Sequence, residues 1–315
     1  MYKLRLTSLF LICLLLSPTA SLAQSSVYSA PKDEIDKIKD EGINRSQVMQ
    51  TLSYMSDVIG PRLTASTGAK RANEWTRETL AKWGMQNSHL ESWGPFGRGW
   101  TLKKFYAMVD GPTAFPLIAY PKAWSPGTDT LVPPPPASKK GKTPPPPVGP
   151  TNTAYTGEVV HFTATKEEEL EQYKGKLKGK IVLVGGIREL KAHFEPQAKR
   201  STDKDLLDLA DAPDPASVRR QQGGAPNPAF ANFQQQQQFG AKRFRFLVEE
   251  GAAVLIDAGR GDGGTIFVQQ ASALQPPPAA EGTQPSPPAR VYDKGANVPI
   301  QISAAAEHLP GRTHG

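Results

Sequence analysis

The chain has 315 residues, room for about two domains of roughly 100–200 residues each. Charged residues make up 21% and the AVILMFWYC set 38%, enough apolar material for a core, which excludes wholesale disorder. The formal charge is +7, from 37 Lys and Arg against 30 Asp and Glu, and the basic residues are scattered. Lys242-Arg243-Phe244-Arg245 sits beside aromatics, but a solvated helix face explains it better than nucleic acid, so no nucleic-acid partner is expected. Proline is the anomaly at 30 residues: 9 fall in Pro133–Pro150 and 6 in Gln275–Arg290. A globular protein is therefore interrupted by proline-rich insertions.

Met1–Ala23 reads as a secretory signal peptide. Lys3 and Arg5 form a basic start, Leu9–Leu16 is apolar without a break, and Ser21-Leu22-Ala23 offers small residues before a cut at Gln24. The run is short for a bilayer span, so a secreted or periplasmic chain without a membrane anchor is expected. Cys13 is the sole cysteine and leaves with the signal, so no disulfide and no cysteine–zinc cage is expected in the mature chain.

Three helices are expected next. Lys32–Glu41 carries Ile35 and Ile38 at a spacing of three and ends at Gly42. A second follows a Ser46 cap, with Val48, Met49, Leu52, Met55, Val58 and Ile59 at helical period, and stops at Gly60-Pro61. A third runs from Thr67 to Trp83 with Ala69, Ala72, Trp75, Thr79, Leu80 and Trp83 as its buried stripe and Gly84 at the left-handed position beyond its end. His89–Trp93 and Lys103–Val109 read as strands. Beyond the proline spacer the pattern turns β-rich: Gly157–Thr163, Ile181–Val184, Ala252–Asp257, Thr265–Gln269 and Val298–Ser303 read as strands, Lys166–Tyr173 and Ala241–Glu249 as helices. Ala212–Gly240, with its Gln234–Gln238 run, and Gln275–Arg290 read as surface insertions.

No complete catalytic constellation emerges. There is no H-E-x-x-H, no G-x-S-x-G and no Walker loop. His89-Leu90-Glu91 has an H-x-E spelling, but a chain without further cysteine lacks the partner motif of a zinc deaminase. Glu189 and His193, with Glu195 nearby, are too few for a zinc site. Gly259–Gly264 has the composition to cradle a phosphate, yet the segment after it reads as a strand, so a turn is the simpler reading. Arg260-Gly261-Asp262 spells an adhesion tripeptide that recurs by chance. Asp203, Asp205, Asp208 and Asp211 read as a solvated face.

Ile59–Ser66, Ala72, Trp75, Leu80, Trp83-Gly84-Met85, His89-Leu90-Glu91 and Gly97-Arg98-Gly99-Trp100 resemble the N-terminal region of secreted di-zinc aminopeptidases and carboxypeptidase Q-like metallopeptidases. Gly175–Val184, Gly251–Asp257 and Val298–Ser303 are similar to the protease-associated (PA) domain inserted in those enzymes. The resemblance implies an α+β chain. Its parts would be a signal at 1–23, N-terminal helices with a few strands at 24–110, a proline-rich linker at 111–156, a strand-rich PA-like α/β domain at 157–303 with insertions 190–240 and 270–295, and an atypical tail at 304–315. It also implies two zinc ions and a Glu general base in a following domain, the α/β/α catalytic core. None of those ligand motifs maps onto this sequence, so no catalytic, cofactor-binding or metal residue is carried over. The expectation is the inactive front portion of an exported zinc exopeptidase; the alternatives are a stand-alone PA-type module that binds peptides or proteins, and an envelope protein using its proline segments as spacers.

Overall fold

The computed structural model describes residues 30–131, 154–186, 190, 192–196, 198–214, 228–277, 284 and 286–309. The signal segment 1–23, the spacer Pro133–Pro150, Glu189 and parts of both surface insertions lie outside the described residues. The chain divides into two units, Met1–Val58 and Ile59–Gly315.

In the first unit, α1 (Lys32–Asn44) starts after Pro31 with Asp33 and Glu34 in its first turn, where the helix dipole favours acids. Exposed i,i+4 pairs, Lys32–Asp36 at 2.7 Å and Arg45–Glu41 at 2.7 Å, lace its surface, and no residue of it is buried. It runs through Gly42, two residues past the expected stop. Helix α2 (Val48–Ser53) passes into a π-helical turn at Tyr54–Ile59. Val48, Met49, Leu52 and Val58 are more than half exposed, so the apolar spacing of this stretch does not make a core.

The second unit opens with α3 (Thr67–Lys82). Ser66 caps it, its hydroxyl accepting from the Ala69 N–H at 3.1 Å. Gly84 closes it at φ +87°, with Gly84 N–H donating to Ala81 and Met85 N–H to Leu80. Of the expected stripe only Ala72 is fully buried; Ala69, Trp75, Thr79 and Leu80 are half-buried and Trp83 is exposed. A two-residue pair follows, β1 (Met108–Val109) antiparallel to β2 (Phe115–Pro116). The expected strand at His89–Trp93 is irregular backbone with no ladder partner.

The main sheet has five strands in the order β3 (Ala119–Pro121), β7 (Ile300–Ala304), β6 (Val254–Ala258), β5 (Ile181–Val184) and β4 (Val159–Phe162). Strands β4 to β7 are parallel in chain order, and β3 closes one edge antiparallel to β7. The architecture is thus mixed α/β. Val160, Val182, Leu255 and Gln301 stand in register across the sheet. Tight turns enter β5 and β6 at Gly179 (φ +69°) and Gly251 (φ +75°), joined by Gly179 N–H to Gly251 C=O at 2.9 Å. The expected strand Thr265–Gln269 is irregular backbone: Gln269 C=O accepts the Ala123 N–H at 2.8 Å, Gln270 just beyond it bridges to Ala123, and Phe267 and Val268 are half exposed. The helix expected from Ala241 begins at Pro228, so α5 (Pro228–Glu249) takes in the glutamine run. The helix α4 is a short exposed one, Asp203–Ala210.

Three apolar clusters hold the unit. One packs Phe162, Leu177, Val182, Leu247 and Leu255 between the sheet and α5. A second lies on the opposite face, around Leu183, Val254, Ile256, Ile300 and Ile302. Each such buried side chain stabilises by about 1.5–3 kcal/mol relative to exposure. The third is aromatic: Phe96 stacks on Tyr292 at 4.4 Å, and Trp124 meets Tyr292 edge-on at 6.1 Å. Arg98 locks it, donating from its guanidinium to Val291 C=O at 2.9 and 3.1 Å.

Candidate functional site

Strand alternation puts Leu255 and Asp257 of β6, and Gln301 and Ser303 of β7, on the face that looks toward α5. Beside the apolar contact of Leu255 with α5 the sheet and helix enclose a cleft of about 370 Å³, which Asp257 and Gln301 also line. It lies at the C-terminal ends of β5 and β6, where parallel α/β sheets place ligands. Phe244 and Leu247 of α5 form its apolar wall, and Lys122, Arg243, Asp257 and Gln301 its polar one.

The floor is a closed hydrogen-bond network. Ser303 Oγ donates to Asp257 Oδ1 at 2.8 Å, and Lys122 Nζ donates to Asp257 Oδ2. Gln301 is 4% exposed; its side-chain amide donates to Ser272 C=O at 2.8 Å and accepts from Ser272 N–H at 3.0 Å. Its backbone exchanges two bonds with the Ser125 hydroxyl, N–H to Oγ at 3.0 Å and Oγ–H to C=O at 2.9 Å. Gln275 is likewise committed, bonded through its amide to Ala273 and to both backbone groups of Ala289. The network fixes the rotamers that line the cleft and leaves few of their polar atoms free.

Arg243 is different. Its guanidinium lies 5.9 Å from the Phe239 ring centre and makes no hydrogen bond or ion pair to the described residues. Burial pushes its pKa below the ordinary value, and the field of Asp257 offsets this only in part. Two cations thus face one carboxylate, already bonded twice, and the lining carries one positive charge in excess.

The sequence-derived candidates lie elsewhere. His89 Nε2 meets Glu91 at 2.8 Å on the exposed surface, and its pKa is raised, chiefly by the Asn87 carbonyl and then by Glu91. His161 bonds Gly185 C=O at 2.9 Å, and His308 Nδ1 accepts the Ile118 N–H at 3.0 Å. His193 bonds Asp262 at 2.8 Å, not Glu195. Among the described residues no three His, Asp or Glu converge in metal-holding geometry. The glycine loop does receive an anion, one from this chain. Glu307 Oε1 accepts the Gly264 N–H at 3.3 Å, and its pKa is held low by backbone N–H groups, its own first and then those of Gly264 and Gly263. Asp262 of the adhesion-like tripeptide is engaged by His193. Asp205 caps α4 with Thr202 at 2.8 Å, and Asp208 pairs with Lys204 at 2.6 Å.

The cleft residues escaped sequence reading because Lys122, Arg243, Asp257 and Gln301 come from four separate stretches. One signal was present: polar residues at 257, 301 and 303 interrupt runs that are otherwise apolar, at positions of one sheet face. No helix among the described residues is long and apolar enough to cross a membrane. Comparison with protein-family models, with curated proteins and with solved structures finds no match to this chain.

Proposed function

We propose that this chain acts by binding: an exported module of PA type, kin to the domain inserted in secreted zinc exopeptidases, whose sheet unit holds peptide ends. The observation that carries the reading is the cleft at the C-terminal ends of β5 and β6, with a preorganised polar floor and an apolar wall. At about 370 Å³ it is near the small end of the usual range of about 300–1,000 Å³, sized for one or two residues of a peptide. The parallel β4–β5–β6–β7 order and the glycine turns at Gly179 and Gly251 are compatible with the PA resemblance.

A second reading is favoured by one observation. Ile38, Ile43, Val48, Met49 and Leu52 are 53–78% exposed in the first unit. Such exposed apolar residues suit helices that pack on the catalytic domain of a zinc exopeptidase. One experiment separates the two. The chain lacking residues 1–23 is incubated with short peptides, with and without zinc. The binding reading expects saturable association and intact peptide; intact peptide without association favours the second reading, and chelator-sensitive hydrolysis refutes the first.

A further inference from the structure

We infer that the cleft recognises a carboxylate, taken by the Arg243 guanidinium with Lys122 alongside and with an apolar substituent of the ligand against Phe244 and Leu247. The inference deepens the binding reading and rests on it for the peptide as the source of that carboxylate.

The carboxylate and amide side chains of the floor have partners: Asp257 has Ser303 and Lys122, Gln301 has Ser272, and Gln275 has Ala273 and Ala289. The Arg243 guanidinium, which can donate five hydrogen bonds, has none to the described residues and faces the cleft from α5. Neighbouring cations on the same helix are satisfied: Lys242 by Glu167 at 2.6 Å and Arg245 by Gln275 C=O at 2.6 Å. A half-buried cation with no bonded counter-ion is costly, and a planar fork matches a carboxylate in two parallel bonds. Asp257 does not supply this, because both its oxygens are bonded elsewhere. A ligand with one negative charge neutralises the excess charge of the lining. Phe244 and Leu247, on the same helix as Arg243, offer an apolar surface beside that charge.

The test uses the chain lacking residues 1–23 and isothermal titration with three probes: acetyl-Leu-Leu with a free C-terminal carboxylate, the same dipeptide as its amide, and sodium benzoate. The acid is expected to bind at one site, with the amide weaker by about tenfold or more, the scale of a charge-assisted bond. Arg243→Gln is expected to lose at least about the same factor for the acid. Lys242→Gln, one residue away and pointing to Glu167, is expected to leave affinity unchanged. Arg243→Gln removes a half-buried cation whose contact among the described residues is the Phe239 ring, so its melting point without ligand is expected to stay close to the parent's. Equal binding of acid and amide, or an Arg243→Gln variant that binds the acid as the parent does, overturns the carboxylate inference and leaves the binding module standing. Benzoate binding without dipeptide binding upholds the carboxylate site and refutes the peptide as its source. No binding by any probe overturns both. The acid-against-amide comparison needs no variant, so a poorly folding Arg243→Gln does not blunt the test.

Discussion

Ser125→Ala removes the hydroxyl that stands in for a missing strand neighbour on β7. In the parent, that hydroxyl accepts from Gln301 N–H at 3.0 Å and donates to Gln301 C=O at 2.9 Å, with Ser125 itself 5% exposed. The two losses are unequal. Gln301 C=O keeps the Lys122 N–H at 2.8 Å, whereas Gln301 N–H is left buried without a partner. The cost is that of one buried orphan donor, about 1–3 kcal/mol. For a unit of this size that is a melting shift of roughly 2–12 °C, at about 2–4 °C per kcal/mol. Urea unfolding followed by tryptophan fluorescence reads it directly, because Trp100 Nε1 donates to Ser125 C=O at 2.9 Å. The midpoint should fall with the slope unchanged. Ser272→Ala is the control: only its backbone bonds Gln301, so it should change stability by less than about 0.5 kcal/mol. A Ser125→Ala variant as stable as that control refutes the claim that the floor depends on this clasp.

Two further outcomes follow from the geometry. The Glu307 pKa is lowered in the fold, so its contribution to stability is complete above the unfolded value near 4.5 and fades as pH drops from there through the folded value. Glu307→Gln should flatten that acid limb in melting curves taken from pH 6 to pH 3; an unchanged limb would mean that the glycine loop does not hold the carboxylate. Gly97 has φ +116°, and a Cβ there would stand 2.3 Å from Tyr292 C=O, which accepts the Arg98 N–H at 2.8 Å. Gly97→Ala should cost at least about 1–3 kcal/mol in urea unfolding from backbone strain alone and quench the aromatic cluster's signature in near-ultraviolet circular dichroism. A neutral Gly97→Ala contradicts that packing.

The strands were legible where chemistry and period agreed. Val159–Phe162, Ile181–Val184, Val254–Ala258 and Ile300–Ala304 lie inside or within one or two residues of the expected runs, since apolar β-branched residues bounded by glycine suit buried parallel strands. Thr265–Gln269 has similar composition and His89–Trp93 an alternating pattern, yet neither forms a ladder among the described residues, because pattern does not report a partner. β3 was missed because three residues ending in Pro121 carry no pattern; it exists through its pairing with β7. The glutamine run read as an insertion although glutamine is a good helix former, and α5 takes it in. The cleft was the least legible part. Lys122 and Asp257 are 135 residues apart and Ser125 and Gln301 are 176, so only the sheet order brings them together.

On the proposed reading this chain binds through the cleft between α5 and the sheet. Amide chemical-shift mapping with acetyl-Leu-Leu, with the peptide recovered and analysed afterwards, tests it most directly. The account expects saturable shifts gathered on Lys122, Arg243, Gln275 and Gln301 and an unaltered peptide. Shifts gathered on the exposed stripe of α1 and α2, or peptide cut in a zinc-dependent manner, would contradict it.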